Sequence, residues 1–229
     1  EKKEYLLEGF HLIEEAASSD AEIKELFVTQ RGMKEWGDWL AANKEISTFL
    51  VSDEVMDAVS DLPTPQGILA VMALTAEGTP DFSGGWLLLD NVQDPGNVGT
   101  MIRTADAFDM AGVLLGKGTA DIYSTKVLRS MQGSNYHLPV LQKDLTEVIP
   151  LMKDKGFTVY GTELNEEAHA LDKVEKSDNF AIIMGNEGQG VSQEILSLTD
   201  QNVYIPMKGN AESLNVGVAA GIVLYHFSL

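Results

Sequence analysis

Apolar and polar residues follow one another along the chain in blocks that predict alternating strands and helices. In the first third, apolar side chains between Tyr5 and Ala17 recur at helical spacing. Ser52 is predicted to cap a further helix that ends at Ala58. Another helix is predicted over 33–42, and short strands are predicted over 26–28, 46–51 and 68–74. Together these elements predict a small α/β domain over residues 1–75.

A second domain is predicted over residues 86–229, after a linker rich in Gly, Pro and small polar residues at 76–85. It opens with a continuous apolar run over 86–89, which is typical of a strand buried on both faces of a parallel sheet. Further strands are predicted over 113–115, 157–160, 180–184 and 203–205, and helices over 98–108, 126–131, 145–155, 192–198 and 214–227. This alternation predicts a parallel α/β sheet with helices on both faces, whose ligands bind at the carboxyl ends of the strands.

Composition excludes several classes of protein and of site. Apolar residues make up 44% and charged residues 22% of the chain, as in ordinary globular proteins, and no run approaches the length of a membrane helix. The absence of cysteine excludes disulfides and thiol chemistry and suits a reducing cytoplasm, and four scattered histidines make a metal site improbable. A net charge of −19 argues, taken alone, against a large polyanion as partner.

Three segments that follow a strand and precede a helix carry the candidate chemistry. In the first, Pro95 and Gly96 form a turn and Asn97 is predicted to cap the next helix. A helix N-terminus attracts anions, and Arg103 on the second turn is in reach of a phosphate or ribose there. A capped helix with a surface arginine is the equally balanced alternative.

The second segment, at 184–190, has three glycines in six residues, which permits close approach of a ligand to the backbone. It matches neither the dinucleotide fingerprint nor a phosphate-binding loop, so it indicates a nucleotide-like ligand only weakly, and Glu187 is open to interpretation as a solvated residue. In the third segment, small residues over 217–221 favour close packing of a helix. Ser213 and Asn215 are either caps or substrate contacts.

Taken in this order, the three segments resemble the SpoU/TrmH family of RNA ribose 2′-O-methyltransferases, within the SPOUT superfamily. The residues that carry the resemblance lie at 97–105, 185–190, 205–207 and 213–216, with a further similar stretch at 126–140. The first domain is similar to the ribosomal-protein-like substrate-binding domain of family members that modify rRNA. One departure is Gly217, where many members have serine.

The resemblance implies a parallel-sheet domain with a deep C-terminal trefoil knot, S-adenosylmethionine as cofactor, and a homodimer. It implies a catalytic set made of Asn97, Arg103, Glu187, Ser213 and Asn215. It implies a cofactor site made of Met184, Gly185, Asn186, Gly190, Ile205, Met207 and Leu214.

The implied function is 2′-O-methylation of a ribose in RNA, and the extra N-terminal domain favours ribosomal RNA. Because the chain is so acidic, we expect RNA to bind through local cationic patches that include Lys126 and Arg129. The near alternative is a tRNA ribose methyltransferase. A non-catalytic RNA-binding or ribosome-assembly protein is a second alternative, and a nucleotide-dependent oxidoreductase is disfavoured because the dinucleotide fingerprint is missing after Asp90.

Overall fold

The chain divides into two compact units, Glu1–Glu77 and Gly78–Leu229. The computed structural model describes residues 3–74, 78 and 80–229. The unit boundary falls within the predicted linker of residues 76–85, of which residues 76, 77 and 79 lie outside the described residues. Gly85, the last residue of that linker, already belongs to a strand. The assignment of the two units as functional domains stays a prediction.

The first unit contains a four-stranded sheet with the order β1-β4-β2-β3. Strand β4 runs antiparallel to both of its neighbours, and β3 runs parallel to β2. The strands are β1 (Glu4–Glu8), β2 (Ile23–Val28), β3 (Ser47–Leu50) and β4 (Ile68–Ala73), and the helices are α1 (Phe10–Ala17), α2 (Gln30–Glu35), α3 (Gly37–Ala42) and α4 (Asp53–Val59). The predicted cap of α4 is confirmed, because the Ser52 hydroxyl accepts a hydrogen bond from the N–H of Val55 at 3.3 Å.

The helix predicted to start at Tyr5 is wrong in its first part, because β1 occupies Glu4–Glu8. Along β1, Leu7 is buried whereas Leu6 is 48% exposed, so neighbouring side chains point to opposite faces as in a strand. Pairing with β4 over five residues outweighs the helical spacing of the apolar positions. The helix predicted over 33–42 is also wrong, since α2 and α3 are separate helices that meet at Trp36.

The second unit contains a parallel seven-stranded sheet with the order β7-β6-β5-β10-β8-β11-β9. Its strands are β5 (Gly85–Leu89), β6 (Gly112–Leu115), β7 (Val140–Gln142), β8 (Thr158–Thr162), β9 (His169–Ala170), β10 (Phe180–Met184) and β11 (Gln201–Tyr204). Its helices are α5 (Pro95–Ala107), α6 (Thr125–Met131), α7 (Leu145–Asp154), α8 (Gln193–Leu196) and α9 (Val216–Ser228). The predicted α/β fold class with a parallel sheet is therefore confirmed, and the trefoil knot stays a prediction.

Helices cover both faces of this sheet. On one face, Trp86 and Ile183 pack with side chains of α7 and α8 in a single buried cluster. On the other face, Phe227 of α9 packs against Tyr160 and Phe180, at ring-centroid distances of 4.9 and 5.0 Å. Every residue of the central strands β5 and β10 is buried, as their continuous apolar sequences predict.

Candidate active site

The first candidate loop connects β5 to α5, and Asp94 caps the helix. Its carboxylate accepts a hydrogen bond from the N–H of Asn97 at 2.8 Å, and this bond holds the pKa of Asp94 below its ordinary value. The prediction that Asn97 is the cap is wrong. Pro95, with its fixed φ and no N–H to lose, occupies the first helical position, so the cap is Asp94, three residues before the predicted one.

The second candidate loop follows β10 and closes on itself. The backbones of Asn186 and Gly190 exchange two hydrogen bonds of 2.9 Å. A Cβ at Gly185 would overlap the backbone of Gly190 and Val191, so only glycine permits this crossing. The Asn186 side chain anchors the loop, because its Nδ2 donates to the Asn91 carbonyl at 2.9 Å.

Glu187, at the tip of this loop, joins it to the start of α5. Its carboxylate accepts hydrogen bonds from the N–H groups of Asp94 and Gln93, at 2.9 and 3.2 Å, and from Asn97 Nδ2 at 3.2 Å. Partial burial opposes ionisation, but the hydrogen bonds outweigh it and the pKa of Glu187 lies below its ordinary value. Glu187 is therefore an ionised anchor between two loops, although its side chain is exposed.

Asn215 connects the third candidate segment to the other two. It caps α9, since its Oδ1 accepts hydrogen bonds from the N–H groups of Gly217 and Val218 at 2.9 and 3.2 Å. Its Nδ2 donates to Asn97 Oδ1 at 3.1 Å. We refer to Asn215, Asn97 and Glu187 as the polar chain, because each side chain donates to the next and together they join all three segments.

A cavity of about 370 Å³ lies beside the polar chain. Its wall contains Glu187 and Ser213 of the predicted catalytic set and all seven residues of the predicted cofactor site, namely Met184, Gly185, Asn186, Gly190, Ile205, Met207 and Leu214. A cavity of this size is in the range of sites for small cofactors. The role of these residues in binding stays a prediction, but residues far apart in sequence share one wall.

The cavity also has wall residues that sequence reasoning missed. Thr162 ends β8 and is followed in the wall by Glu163 and Leu164, and the wall also contains Glu212, Ala219 and Val223. The segment after β8 carries no glycine motif, yet it follows a parallel strand whose carboxyl end lies beside that of β10. The rule that ligands bind at the carboxyl ends of parallel strands points to this segment only once the order of the strands is known.

The predicted cationic residues lie outside the cavity wall. Arg103 is exposed on α5 and forms no hydrogen bond or ion pair with any residue that the structure describes. Lys126 and Arg129 are exposed on α6, and Lys126 Nζ lies 3.5 Å from a carboxylate oxygen of Asp94. The guanidinium of Arg103 is thus available to an external ligand.

Residues 3–74, 78 and 80–229 contain neither a metal-binding cluster nor a membrane-spanning helix. No group of three His, Asp or Glu side chains in that part of the chain is arranged to hold a metal ion. Every helix described there falls short of the length and apolarity that a membrane span requires.

Comparison with known proteins supports the resemblance over both units. The SpoU rRNA Methylase family matches residues 86–225, and the MRM3-like substrate binding domain matches residues 1–70. A relative from Bacillus subtilis (strain 168), the 23S rRNA (guanosine(2553)-2'-O)-methyltransferase RlmP, is 43% identical over 97% of this chain and 87% of its own.

Solved structures of the same family share the fold. The SpoU methyltransferase AviRb from Streptomyces viridochromogenes, in complex with the cofactor AdoMet, has a TM-score of 0.89 and 26% identity, over 99% of this chain and 89% of that chain. The AdoMet-bound rRNA methyltransferase from Sinorhizobium meliloti has a TM-score of 0.85 and 26% identity, over 98% and 87%. The predicted family is therefore confirmed, and the chain belongs to the SpoU rRNA methylase family.

Proposed function

We propose that this protein transfers a methyl group from S-adenosylmethionine to a ribose 2′-hydroxyl in ribosomal RNA. The observation that carries the proposal is the cavity beside the polar chain, which brings three loops of the methylase unit together at one edge of the sheet. The Bacillus subtilis relative, named for 2′-O-methylation of a guanosine in 23S rRNA, makes that RNA the favoured substrate. A protein that binds no S-adenosylmethionine, or that forms no 2′-O-methylated RNA, would refute the proposal.

The cavity fits S-adenosylmethionine in size and in chemistry. Its walls offer buried apolar side chains, Met184 and Val223, for a flat apolar group, and carboxylates and loop backbone for polar groups. When bound there, S-adenosylmethionine would supply an electrophilic methyl group on a sulfonium, and its transfer to a ribose 2′-oxygen would break the C–S bond and release S-adenosylhomocysteine and the hydroxyl proton. The ionised Glu187 and the polar chain hold the loops in place, and such pre-organisation is the main requirement of a direct transfer.

Arg103 is the residue that we assign to the RNA side of the reaction. It lies on α5 beyond Asn97 and is free of protein partners among the described residues. A guanidinium holds its proton tightly, which makes it a poor general base near neutral pH. Its planar fork of donors suits a phosphate and stabilises negative charge that develops on the ribose oxygen. Arg103 therefore orients the RNA and stabilises the transition state electrostatically.

The N-terminal unit provides the substrate-binding part of the proposed function. We infer that residues 1–75 bind RNA, residues 76–85 act as the linker and residues 86–229 carry catalysis. Support comes from the match of residues 1–70 to a substrate-binding domain and from the separation of the two units at the linker. We also infer a cytoplasmic location, because the Bacillus subtilis relative is named for a 23S rRNA and bacterial ribosomal RNA lies in the cytoplasm.

The test is to map ribose methylation over 23S rRNA and tRNA from cells with and without this protein. The expected result is one 2′-O-methylated guanosine in 23S rRNA that disappears with the protein and returns with the wild-type copy.

A complementing copy with Arg103→Lys is expected to restore this methylation at a rate lower by about 10²-fold or more, because the fork geometry is lost. Lys155→Arg, at an exposed lysine that precedes β8 at the amino edge of the sheet, is the control and is expected to complement fully. Methylation that disappears only from tRNA would favour the tRNA alternative.

The family resemblance also implies a homodimer, and α9 offers a surface for it. Val218, Ile222 and Tyr225 are 54, 40 and 55% exposed and lie on one face of the helix, and Leu229, which follows its last residue, is 76% exposed. We infer that this apolar stripe packs against a second copy of the chain. Ile222→Lys is expected to give a monomer by light scattering, and Val55→Lys, at an exposed valine of the first unit, is expected to leave a dimer. A monomeric wild type would contradict the inference.

A further inference from the structure

Glu163 lies at the carboxyl end of β8, in the wall of the cavity that we assign to the cofactor. Its backbone is fixed, because its N–H donates to the Val203 carbonyl of β11 at 3.1 Å. Its side chain is half-buried and turns towards the glycine loop, with Oε2 3.7 Å from the position of a Cβ built on Gly190. The carboxylate therefore sits where the β8 end and the loop after β10 face each other across the cavity.

The carboxylate of Glu163 forms no hydrogen bond or ion pair with any residue in the described part of the chain. The two other carboxylates in the wall differ from it, since Glu187 accepts three hydrogen bonds from protein groups and Glu212 is exposed. The wall contains no lysine, arginine or histidine that could form an ion pair with Glu163. A half-buried carboxylate without a partner is costly, and a ligand that donates hydrogen bonds to it recovers that cost.

We propose that Glu163 is a cofactor-binding residue whose carboxylate accepts hydrogen bonds from donor groups of the bound methyl donor. This inference rests on the proposed function, because it assumes that S-adenosylmethionine occupies the cavity. An ionised carboxylate is an acceptor only, so its partner is an O–H or N–H group. The cofactor carries such donors on its adenosine part and on the ammonium of its methionine part. Charge-assisted bonds of this kind are about twice as strong as neutral ones.

The test is calorimetric binding of three ligands to the full chain and to its Glu163→Gln variant. S-adenosylmethionine and S-adenosylhomocysteine share the adenosine and the ammonium, whereas 5′-methylthioadenosine has the adenosine alone. The variant is expected to bind S-adenosylmethionine about tenfold or more weakly than wild type. Glu166→Gln is the matched control, because Glu166 is exposed, lies three residues away and is absent from the cavity wall.

The three ligands identify the donor. An equal loss of affinity for all three assigns the bond to the adenosine part, and a loss for the first two only assigns it to the ammonium. A loss of affinity for S-adenosylmethionine alone would mean that the Glu163 carboxylate attracts the sulfonium charge without a hydrogen bond, and it would overturn the hydrogen-bond assignment. Unchanged affinity for every ligand would overturn it as well.

Two measurements distinguish the loss of a hydrogen bond at Glu163 from misfolding of the variant. Thermal unfolding of Glu163→Gln is expected to match that of Glu166→Gln, and Glu163→Asp, which retains the charge, is expected to recover part of the affinity. A wild-type chain that binds no S-adenosylmethionine would refute the proposed function. A wild type that binds it, beside a Glu163→Gln variant that binds it equally well, would refute only the role of Glu163.

Discussion

Asn215 combines two roles that a single substitution separates. Its Oδ1 caps α9, and its Nδ2 donates to Asn97, whose own amide donates to Glu187. Aspartate caps a helix as well as asparagine does but has no N–H to donate. In Asn215→Asp, the new carboxylate faces Asn97 Oδ1, which also only accepts. If the Asn97 amide turned to donate to residue 215, it would lose its bond to Glu187. The polar chain therefore breaks while the cap remains.

We therefore expect Asn215→Asp to keep the free energy of unfolding within about 0.5 kcal/mol of wild type and to lose most methyl transfer. Asn215→Ala removes the cap as well and is expected to cost about 1 kcal/mol of stability. Chemical denaturation and a methyl-transfer assay measure the two effects. A fully active Asn215→Asp enzyme would mean that only the cap matters.

Asp94 offers a second test at a single residue, because an equivalent aspartate caps a helix elsewhere. Asp94 caps α5 in the candidate site, and Asp144 caps α7 through the N–H of Thr146 at 2.9 Å. Asp94→Ala is expected to cost about 1 kcal/mol of stability at pH 7 and to lower methyl transfer, since the N–H that it fixes belongs to Asn97. Asp144→Ala is expected to destabilise the protein as well but to leave methyl transfer unchanged.

The stabilisation from Asp94 depends on pH in a defined direction. Its hydrogen bond from Asn97 lowers the pKa of Asp94 in the folded state, so the stabilisation is complete above the ordinary pKa of about 3.9. It is lost as the pH falls through the lower folded value. The difference in unfolding free energy between wild type and Asp94→Ala is expected to be constant from pH 7 to about 5 and to shrink below about 4.

The sequence predicts an element well when its apolar pattern matches the burial that the element has in the fold. Strand β10 has the predicted bounds, Phe180–Met184, because a short apolar run ended by Gly185 suits a strand buried on both faces. Strand β1 was mistaken for helix because its form depends on pairing with β4, which lies sixty residues away in sequence. The two- and three-residue strands β9 and β7 are too short for any period to be read.

The loop after β10 is an element whose shape depends on one glycine and tolerates change at another. A Cβ at Gly185 would meet the backbone of Gly190 and Val191, whereas the nearest atom to a Cβ at Gly188 is Asn186 Oδ1 at 3.7 Å. Gly185→Ala must open the loop crossing, so we expect loss of S-adenosylmethionine binding by at least about tenfold. Gly188→Ala is the control, because Gly188 lies in the same loop and the same cavity wall but an added Cβ there meets no backbone, and it is expected to bind as wild type does. Equal binding by both variants in calorimetry would show that the crossing is not required.

The sequence predicted which residues line the cavity better than it predicted the strand order and the hydrogen bonds that bring them together. Nine wall residues were predicted from glycine and turn motifs and from the family resemblance, namely Met184, Gly185, Asn186, Glu187, Gly190, Ile205, Met207, Ser213 and Leu214. Glu163 was missed because a lone glutamate after a strand carries no motif, and only the sheet order brings β8 beside β10. The polar chain was missed because hydrogen bonds between side chains 90 and 118 residues apart leave no local pattern.

The net charge of −19 is a property of the whole chain that the proposed function must reconcile with an RNA substrate. Overall repulsion leaves binding to a few local cations, of which Lys126 and Arg129 are exposed on α6, near the carboxyl edge of the sheet. Each phosphate contact contributes about one unit to the slope of log affinity against log salt. Lys126→Ala and Arg129→Ala are each expected to weaken RNA binding and to lower that slope by about one.

Lys155→Ala is the matched control for this prediction, because Lys155 is an exposed lysine that precedes β8 and so lies at the opposite, amino edge of the sheet. Its loss removes the same charge and is expected to leave the slope unchanged. Filter binding of an rRNA fragment between about 50 and 200 mM salt measures all three slopes. If the three variants lose affinity equally, net charge alone would account for the effect and α6 would have no special part in RNA binding. A loss confined to the α6 variants would instead mean that an acidic protein binds RNA through a cationic patch beside the cavity that we assign to the cofactor.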